Sequence, residues 1–109
     1  MAKHEIGVGD GGIGGHALVD QKGKDGSVRQ QMGDFELSGE NIARIQLDRV
    51  VKGRFRKREE ERILIMTKSQ KRIELFRSKM DGEFDDACRK LKSFAKSSYI
   101  TFQDDLGVE

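Results

Sequence analysis

The sequence has a single cysteine, Cys88, and contains neither proline nor tryptophan. One cysteine excludes an internal disulfide and leaves no framework of the kind that staples small secreted proteins. No run approaches the length of about 18 apolar residues that a membrane-spanning helix needs, and residues 1–5 lack the apolar segment of a secretory signal. We therefore expect an intracellular protein, in the cytoplasm or in the nucleus.

Apolar residues are also scarce, at 35% of the 109 residues, whereas charged residues make up 37%. A chain of this length has room for one domain, which excludes two-domain enzymes, (β/α)8 barrels and full dinucleotide-binding folds. Average domains are about 45–50% apolar, so the core that we expect here is small.

The charge is unevenly distributed along the chain. Residues 1–33 carry four bases and four acids, residues 34–98 carry seventeen bases and twelve acids, and residues 99–109 carry three acids. A mildly basic body with an acidic end is compatible with nucleic acid, an anionic membrane or an acidic peptide as partner, and equally with a well-solvated surface.

Glycine is concentrated near the start, with nine of the thirteen glycines in residues 1–33 and six of them in residues 7–15. Because glycine loses the most backbone freedom on folding, this composition predicts a flexible tail over residues 1–15. A single folded domain is then expected over residues 16–102, followed by an acidic tail over residues 103–109.

Short segments of strand length fill the middle of the chain. The predicted strands are 16–19, 28–32, 35–37, 45–51 with a bulge at 48–49, 54–58, 63–67 and 73–76. Residues 22–26 form a predicted turn, and residues 68–71 form the four-residue loop of a predicted hairpin. Residues 99–102 are a further short candidate.

The clearest element is an amphipathic helix over residues 82–97. Apolar residues recur at the helical period, namely Phe84, Ala87, Cys88, Leu91, Phe94 and Ala95. Asp81 is the expected N-cap, and Lys92 and Lys96 lie late in the helix, where its dipole favours cations. The predicted core is Leu64, Met66, Ile73, Leu75, Phe84, Leu91 and Phe94.

Strands segregated from one helix predict the α+β class. The expected architecture is a small curved antiparallel sheet or barrel of about seven short strands, capped by one C-terminal amphipathic helix.

No set of residues predicts catalysis. Residues 7–12 match the G-x-G-x-x-G pattern of dinucleotide-binding loops, but neither a preceding strand nor a following helix is expected there. His4, His16 and Cys88 lack metal-ligand spacing, and Cys88 lies on the apolar helix face. We therefore expect a non-enzymatic protein without a cofactor or a metal.

The sharpest feature is a basic patch within residues 49–58, which contain no acid. The candidate binding residues are Arg49, Lys52, Arg54, Phe55, Arg56, Lys57 and Arg58. In an extended segment Arg54, Arg56 and Arg58 share one face, where guanidinium groups suit phosphates and carboxylates, and Phe55 offers a stacking surface. The alternative is an edge strand protected by charge, with residues 59–61 as internal acidic partners.

The order of strands and helix resembles the pleckstrin-homology (PH) superfold. The likeness is carried by residues 63–95, in which an apolar strand, a polar turn and residues 71–77 precede a helix with Phe84, Ala87, Leu91 and Phe94 inward. Many members have a tryptophan in this helix, and this chain has none. Lys52, Arg54 and Arg56 match the types of a lipid-binding PH motif but lie near the fourth and fifth strands, not in the first hairpin.

A narrower likeness is to the N-terminal PH-like domain of meiotic recombination accessory proteins. Residues 75–77, Ala87, Cys88, Leu91 and residues 99–101 are similar to it. This resemblance implies recognition of partner peptides. Our leading expectation is an adaptor that binds a protein partner peptide at a sheet edge or in the groove between sheet and helix. The alternative is a nucleic-acid-binding module that uses residues 49–58, and anionic lipid is a further possible partner.

Overall fold

The computed structural model describes residues 4–80 and 82–108, in which seven strands and one α-helix form an α+β fold. The strands are β1 (Glu5–Val8), β2 (Gly12–Lys22), β3 (Val28–Ser38), β4 (Ile42–Lys52), β5 (Arg58–Thr67), β6 (Arg72–Phe76) and β7 (Thr101–Asp104), and the helix α1 (Phe84–Ser97) lies between β6 and β7. The predicted fold class is thus confirmed.

The strands form one strongly curled, open sheet in the order β1-β2-β6-β5-β4-β7. Both β1 and β6 pair with one edge of β2, and β3 pairs with its opposite edge. All pairs are antiparallel except β4 and β7, which run parallel. The predicted hairpin is confirmed, because β5 and β6 pair across residues 68–71 with Ile65 opposite Ile73. No helix in the described part of the chain is long and apolar enough to cross a membrane.

The core lies between α1 and one face of the sheet, and it includes every apolar residue that the helical period selected. Sheet residues of the core occupy alternate positions, as in Ile63 and Ile65 on β5 and Ile73 and Leu75 on β6. The predicted core is correct for Ile73, Leu75, Phe84, Leu91 and Phe94.

Leu64 and Met66 are the two errors in the predicted core. They alternate with Ile63 and Ile65 on β5, so they point to the face away from α1. Leu64 is nevertheless buried on that face, while Met66 is half-buried. A continuous apolar run gives no period from which the inward face can be chosen.

The glycine-rich start is not a free tail, because residues 5–8 and 12–15 belong to β1 and β2. Glycine is required there by close approach. A Cβ added at Gly12 would lie against the carbonyl oxygen of Leu37, and one added at Gly15 would lie against that of Glu5, both far inside normal contact. The glycines therefore pack backbones together, and the predicted boundary at residue 16 is wrong.

The acidic end is also ordered against the domain. The Asp104 carboxylate accepts hydrogen bonds from the backbone N–H groups of Leu106, Gly107 and Val108 at 3.0, 2.8 and 2.8 Å. Leu106 and Val108 pack against the core, and Lys92 Nζ donates to the Val108 carbonyl oxygen at 2.7 Å. The predicted tail over residues 103–109 is therefore wrong for residues 103–108, because β7 continues to Asp104 and Leu106 and Val108 then pack against the core.

Three local predictions change in detail. The predicted strands 28–32 and 35–37 form the single strand β3, and β4 pairs with β5 without a bulge at residues 48–49, its register shift lying between Ile42 and Arg44. The helix begins at Phe84 with Glu83 in the N-cap position. Asp81, the expected N-cap, lies outside the described residues.

Two neighbouring substitutions on β5 test the face assignment. Ile65→Ala should lower the free energy of unfolding by about 2–5 kcal/mol, because Ile65 is fully buried against the helix side of the sheet. Met66→Ala should cost about 1 kcal/mol, since a half-buried side chain leaves no closed cavity. Urea denaturation of both variants measures the difference, and equal losses would contradict the assignment.

Candidate functional site

The basic patch lies on a two-stranded arm that extends beyond the rest of the sheet. β4 and β5 pair as far as Lys52 opposite Arg58. However, β7 pairs with β4 only as far as Leu47, and β6 pairs with β5 only from Arg62 onward. Residues 49–61, which we call the arm, thus form a ribbon with no third strand among the described residues. Such ribbons are marginally stable by themselves.

Side chains at the base of the arm fasten it to the sheet. Lys52 Nζ lies 3.3 Å from the centre of the Phe76 ring and 3.6 Å from Glu60 Oε2. Arg49 lies 4.0 Å from the Glu61 carboxylate, which also accepts a 2.6 Å hydrogen bond from Arg77 Nε. Two of the predicted binding residues, Arg49 and Lys52, are therefore already paired within the chain.

The arm tip, residues 53–58, differs from its base. Arg54, Phe55, Arg56 and Lys57 lie in the loop between the strands, and Arg58 is the first residue of β5. All five are exposed, and Phe55 is 98% exposed. Among the ion pairs formed by the described residues, none involves these four cations. The arm thus segregates neutralised cations at its base from free cations at its tip.

The prediction of an extended strand over residues 54–58 is wrong. Gly53 has φ +104°, and a Cβ at this position would lie against the carbonyl oxygen of Arg56. The chain therefore turns at Gly53, and Arg54, Arg56 and Arg58 do not share a strand face. The expected acidic partners are found only for the base of the patch, where Glu60 pairs with Lys52 and Glu61 with Arg49. Among the described residues, neither pairs with a cation of the tip.

A charge network below the arm was not predicted. Arg62 donates to both oxygens of Asp48, at 2.9 Å from Nε and 2.6 Å from Nη2, and to Glu74 at 3.0 Å from Nη1. Gln46 donates to Asp48 at 2.6 Å, and Gln30 donates to Glu74. The three charged groups join β4, β5 and β6 on the face away from α1. Glu74 and Asp48 lie 12 and 14 residues from Arg62 in the sequence, so local sequence patterns do not reveal these contacts.

The network lowers the pKa of Asp48. Burial by itself would raise the pKa of Asp48, but the hydrogen bonds and charge of Arg62, together with Gln46, outweigh burial and hold that pKa below its ordinary value. Since the folded-state pKa is depressed, Asp48 stabilises the fold above its unfolded pKa. This contribution is lost as the pH falls through the folded-state value.

Arg62→Met tests this network. At about pH 7 the variant should lose roughly 3–5 kcal/mol of unfolding free energy, because two buried carboxylates lose their cation. The loss should shrink toward about pH 5, since without Arg62 burial raises the pKa of Asp48 and favours its protonation. Urea denaturation at both pH values measures it. Arg58→Met on the same strand is the control, and an equal effect there, or a pH-independent loss, would contradict the account.

The residues considered for chemistry lie on different elements, with His4 before β1, His16 on β2 and Cys88 on α1. Cys88 is fully buried on α1, as predicted, and burial raises the pKa of its thiol to about 12. Residues 7–12 form the end of β1, a turn and the start of β2, so the glycine pattern is followed by a strand. Over residues 4–80 and 82–108, no group of three or more His, Cys, Asp and Glu side chains is placed to hold a metal ion.

A second candidate surface is the outer edge of β3. This strand pairs with β2 over all eleven of its residues, from Val28 opposite Lys22 to Ser38 opposite Gly12. Its other edge has no partner strand in the part of the chain that the structure describes. Gly23 N donates to Ser27 O at 2.7 Å, so residues 23 and 27 are a hydrogen-bonded pair. Hydrogen-bonded pairs occur at every second residue of an antiparallel ladder, so the odd-numbered residues of β3 bond to β2. The even-numbered residues from Val28 to Glu36 therefore direct their N–H and C=O groups outward.

Comparison of the chain with protein-family models, with curated proteins and with solved structures finds no match.

Proposed function

We propose that this chain is a binding module in which β3 takes up an extended peptide of a protein partner as an additional strand. The observation that carries the proposal is an eleven-residue edge strand whose outward backbone groups have no partner strand among the described residues. Peptides that add to a sheet edge gain affinity from main-chain hydrogen bonds and specificity from alternate side chains.

The edge of β3 lacks most of the devices that usually protect such strands. It is eleven residues long, contains no proline and no lysine, and keeps its register with β2 without a bulge. Natural sheets shorten, charge, twist or cover exposed edges because unpaired backbone groups recruit other strands. Of these devices β3 has only charge, at Arg29, Asp34 and Glu36, which leaves it open to a peptide of complementary charge.

The side chains of β3 indicate the chemistry of the peptide. Val28 and Met32 are 60% and 36% exposed, and Asp34 and Glu36 follow them on the same face of the strand. A cleft of about 580 Å3 is lined by glycines of β1, of the following turn and of β2, together with Phe35, Glu36 and Leu37 of β3. We infer that the peptide places an apolar residue near Met32 and a basic residue near Glu36.

The assignment to the PH-like superfold belongs to the same proposal. The curled sheet of seven strands with one helix near the C-terminus supports it, although here the strand β7 follows the helix and pairs with β4. The narrower likeness to meiotic recombination accessory proteins rests on the sequence residues alone. We propose a non-catalytic adaptor that acts inside the cell.

The nucleic-acid alternative would use the arm tip. Proteins that bind single strands combine a basic groove with several aromatic side chains, on which successive bases stack. At the arm tip Phe55 alone offers such a ring. We therefore rank peptide binding at β3 above nucleic-acid binding.

Met32→Pro tests the proposal at β3. Peptides are first selected from a random display library on the wild-type chain, and their dissociation constants are then measured by calorimetry. Proline removes one outward N–H and its ring obstructs an added strand, so affinity should fall by about tenfold or more. Edge strands tolerate proline where the N–H faces solvent, so the circular dichroism spectrum should be preserved.

Met32→Ala is the matched control, because it shortens the same side chain and retains the N–H group. Its affinity should fall less than that of Met32→Pro, since it loses only the apolar contact of the side chain and keeps the main-chain hydrogen bond. Bound peptide should also slow amide exchange at Gln30, Met32 and Asp34. Equal losses in both variants, or protection confined to another surface, would contradict binding at the edge of β3.

A further inference from the structure

The arm tip carries an aromatic ring that the fold does not use. Phe55 is 98% exposed, although phenylalanine is among the residues most often buried. It lies at the end of a ribbon that no third strand supports within the described residues. The Lys52 contact with Phe76 and the Glu61 contact with Arg77 hold this ribbon to the sheet. The arm is thus held in place while its most apolar side chain contributes nothing to the core.

The charges around this ring have one sign. Arg54, Arg56, Lys57 and Arg58 are exposed, residues 53–58 contain no acid, and none of the four cations belongs to the ion pairs found in the described chain. The acid nearest to the tip is the exposed Glu59, which directly follows Arg58, whereas Glu60 and Glu61 pair with cations at the base. The tip with Glu59 therefore keeps a net charge of about +3. An exposed phenyl ring therefore projects from a cluster of four unneutralised bases.

We propose that the arm tip docks on an anionic lipid membrane surface, with Phe55 in the interfacial layer and the four bases against the headgroups. An aromatic ring flanked by arginine and lysine suits the membrane–water interface. The ring can leave water there, while the long basic side chains keep their charged ends among the headgroups. Each base near an anionic surface strengthens binding by about fivefold, and salt screens the attraction.

The geometry favours a membrane over a nucleic acid as the partner of the tip. A nucleic-acid strand needs successive contacts along a groove, whereas the tip is the end of a projecting loop with one ring. A broad anionic surface can receive that ring and all four bases together. This site is separate from the proposed peptide edge, since the tip joins β4 and β5 whereas β3 pairs with β2.

Fluorescence tests the insertion directly, because the chain contains no tryptophan. Phe55→Trp introduces a single reporter at the tip, and Tyr99→Trp introduces one at a position that is 97% exposed outside the arm. Vesicles of phosphatidylcholine with phosphatidylserine should shift the emission of Phe55→Trp to shorter wavelength and leave Tyr99→Trp unchanged. Vesicles of phosphatidylcholine alone should shift neither.

Vesicle co-sedimentation tests the charges. Replacing Arg54, Arg56, Lys57 and Arg58 together by alanine should lower the partition onto anionic vesicles by about a hundredfold or more. The control replaces the same number of exposed bases elsewhere, namely Lys24, Lys68, Lys71 and Lys96. It should lower the partition by less than about tenfold, since those bases act only through net charge.

Three results would overturn the proposal. The first is an unshifted Phe55→Trp emission with anionic vesicles, and the second is an equal loss of partition in the two quadruple variants. The third is binding of an oligothymidylate that alters Phe55→Trp emission while anionic vesicles do not, which would make the tip a nucleic-acid site. The tip is exposed and outside the core, so all variants should keep the wild-type circular dichroism spectrum.

Discussion

Packing of α1 across one face of the curled sheet is the contact on which the rest of this structure depends. Phe84, Leu91 and the other apolar residues of the helix meet alternate sheet residues such as Ile45 and Ile63, and almost all buried apolar side chains belong to this one cluster. In a chain that is 35% apolar, little apolar surface remains for a second layer. The opposite face, the edge at β3 and the arm must therefore be stabilised by other means, or left open.

The opposite face is held by charge. Arg62 spans Asp48 and Glu74, so it links three strands at the place where the third strand ends and the arm begins. A half-buried cation between two buried carboxylates gives little net stability, but its loss leaves those carboxylates unpaired, which is costly. The exposed tip belongs to the β4–β5 arm, and the open edge belongs to β3, which pairs with β2. The two surfaces for which we propose partners are thus carried by different strands.

The sequence predicts the parts in which a period or a turn is local. The helix and the β5–β6 hairpin follow from such patterns. The sequence does not show which face of β5 points toward the core, because residues 63–66 are all apolar and show no alternation. The glycine-rich segment is held in the sheet by contacts between distant residues, such as Gly12 with Leu37. The Arg62 network likewise joins residues of three strands, so neither feature follows from local patterns. The free edge of β3 is a property of topology, which composition and spacing do not specify.

Residue-resolved amide exchange of the free chain tests most directly whether β3 is paired on one side and open on the other. We expect exchange rates to alternate along β3. Exchange should be slow at Arg29, Gln31 and Gly33, whose N–H groups face β2, and fast at Gln30 and Met32, whose N–H groups face outward. Uniformly slow exchange would mean that the edge is already occupied, by a second copy or another segment. Uniformly fast exchange would mean that β3 is not held in the sheet. Either result would contradict an edge that is formed and available for a partner strand.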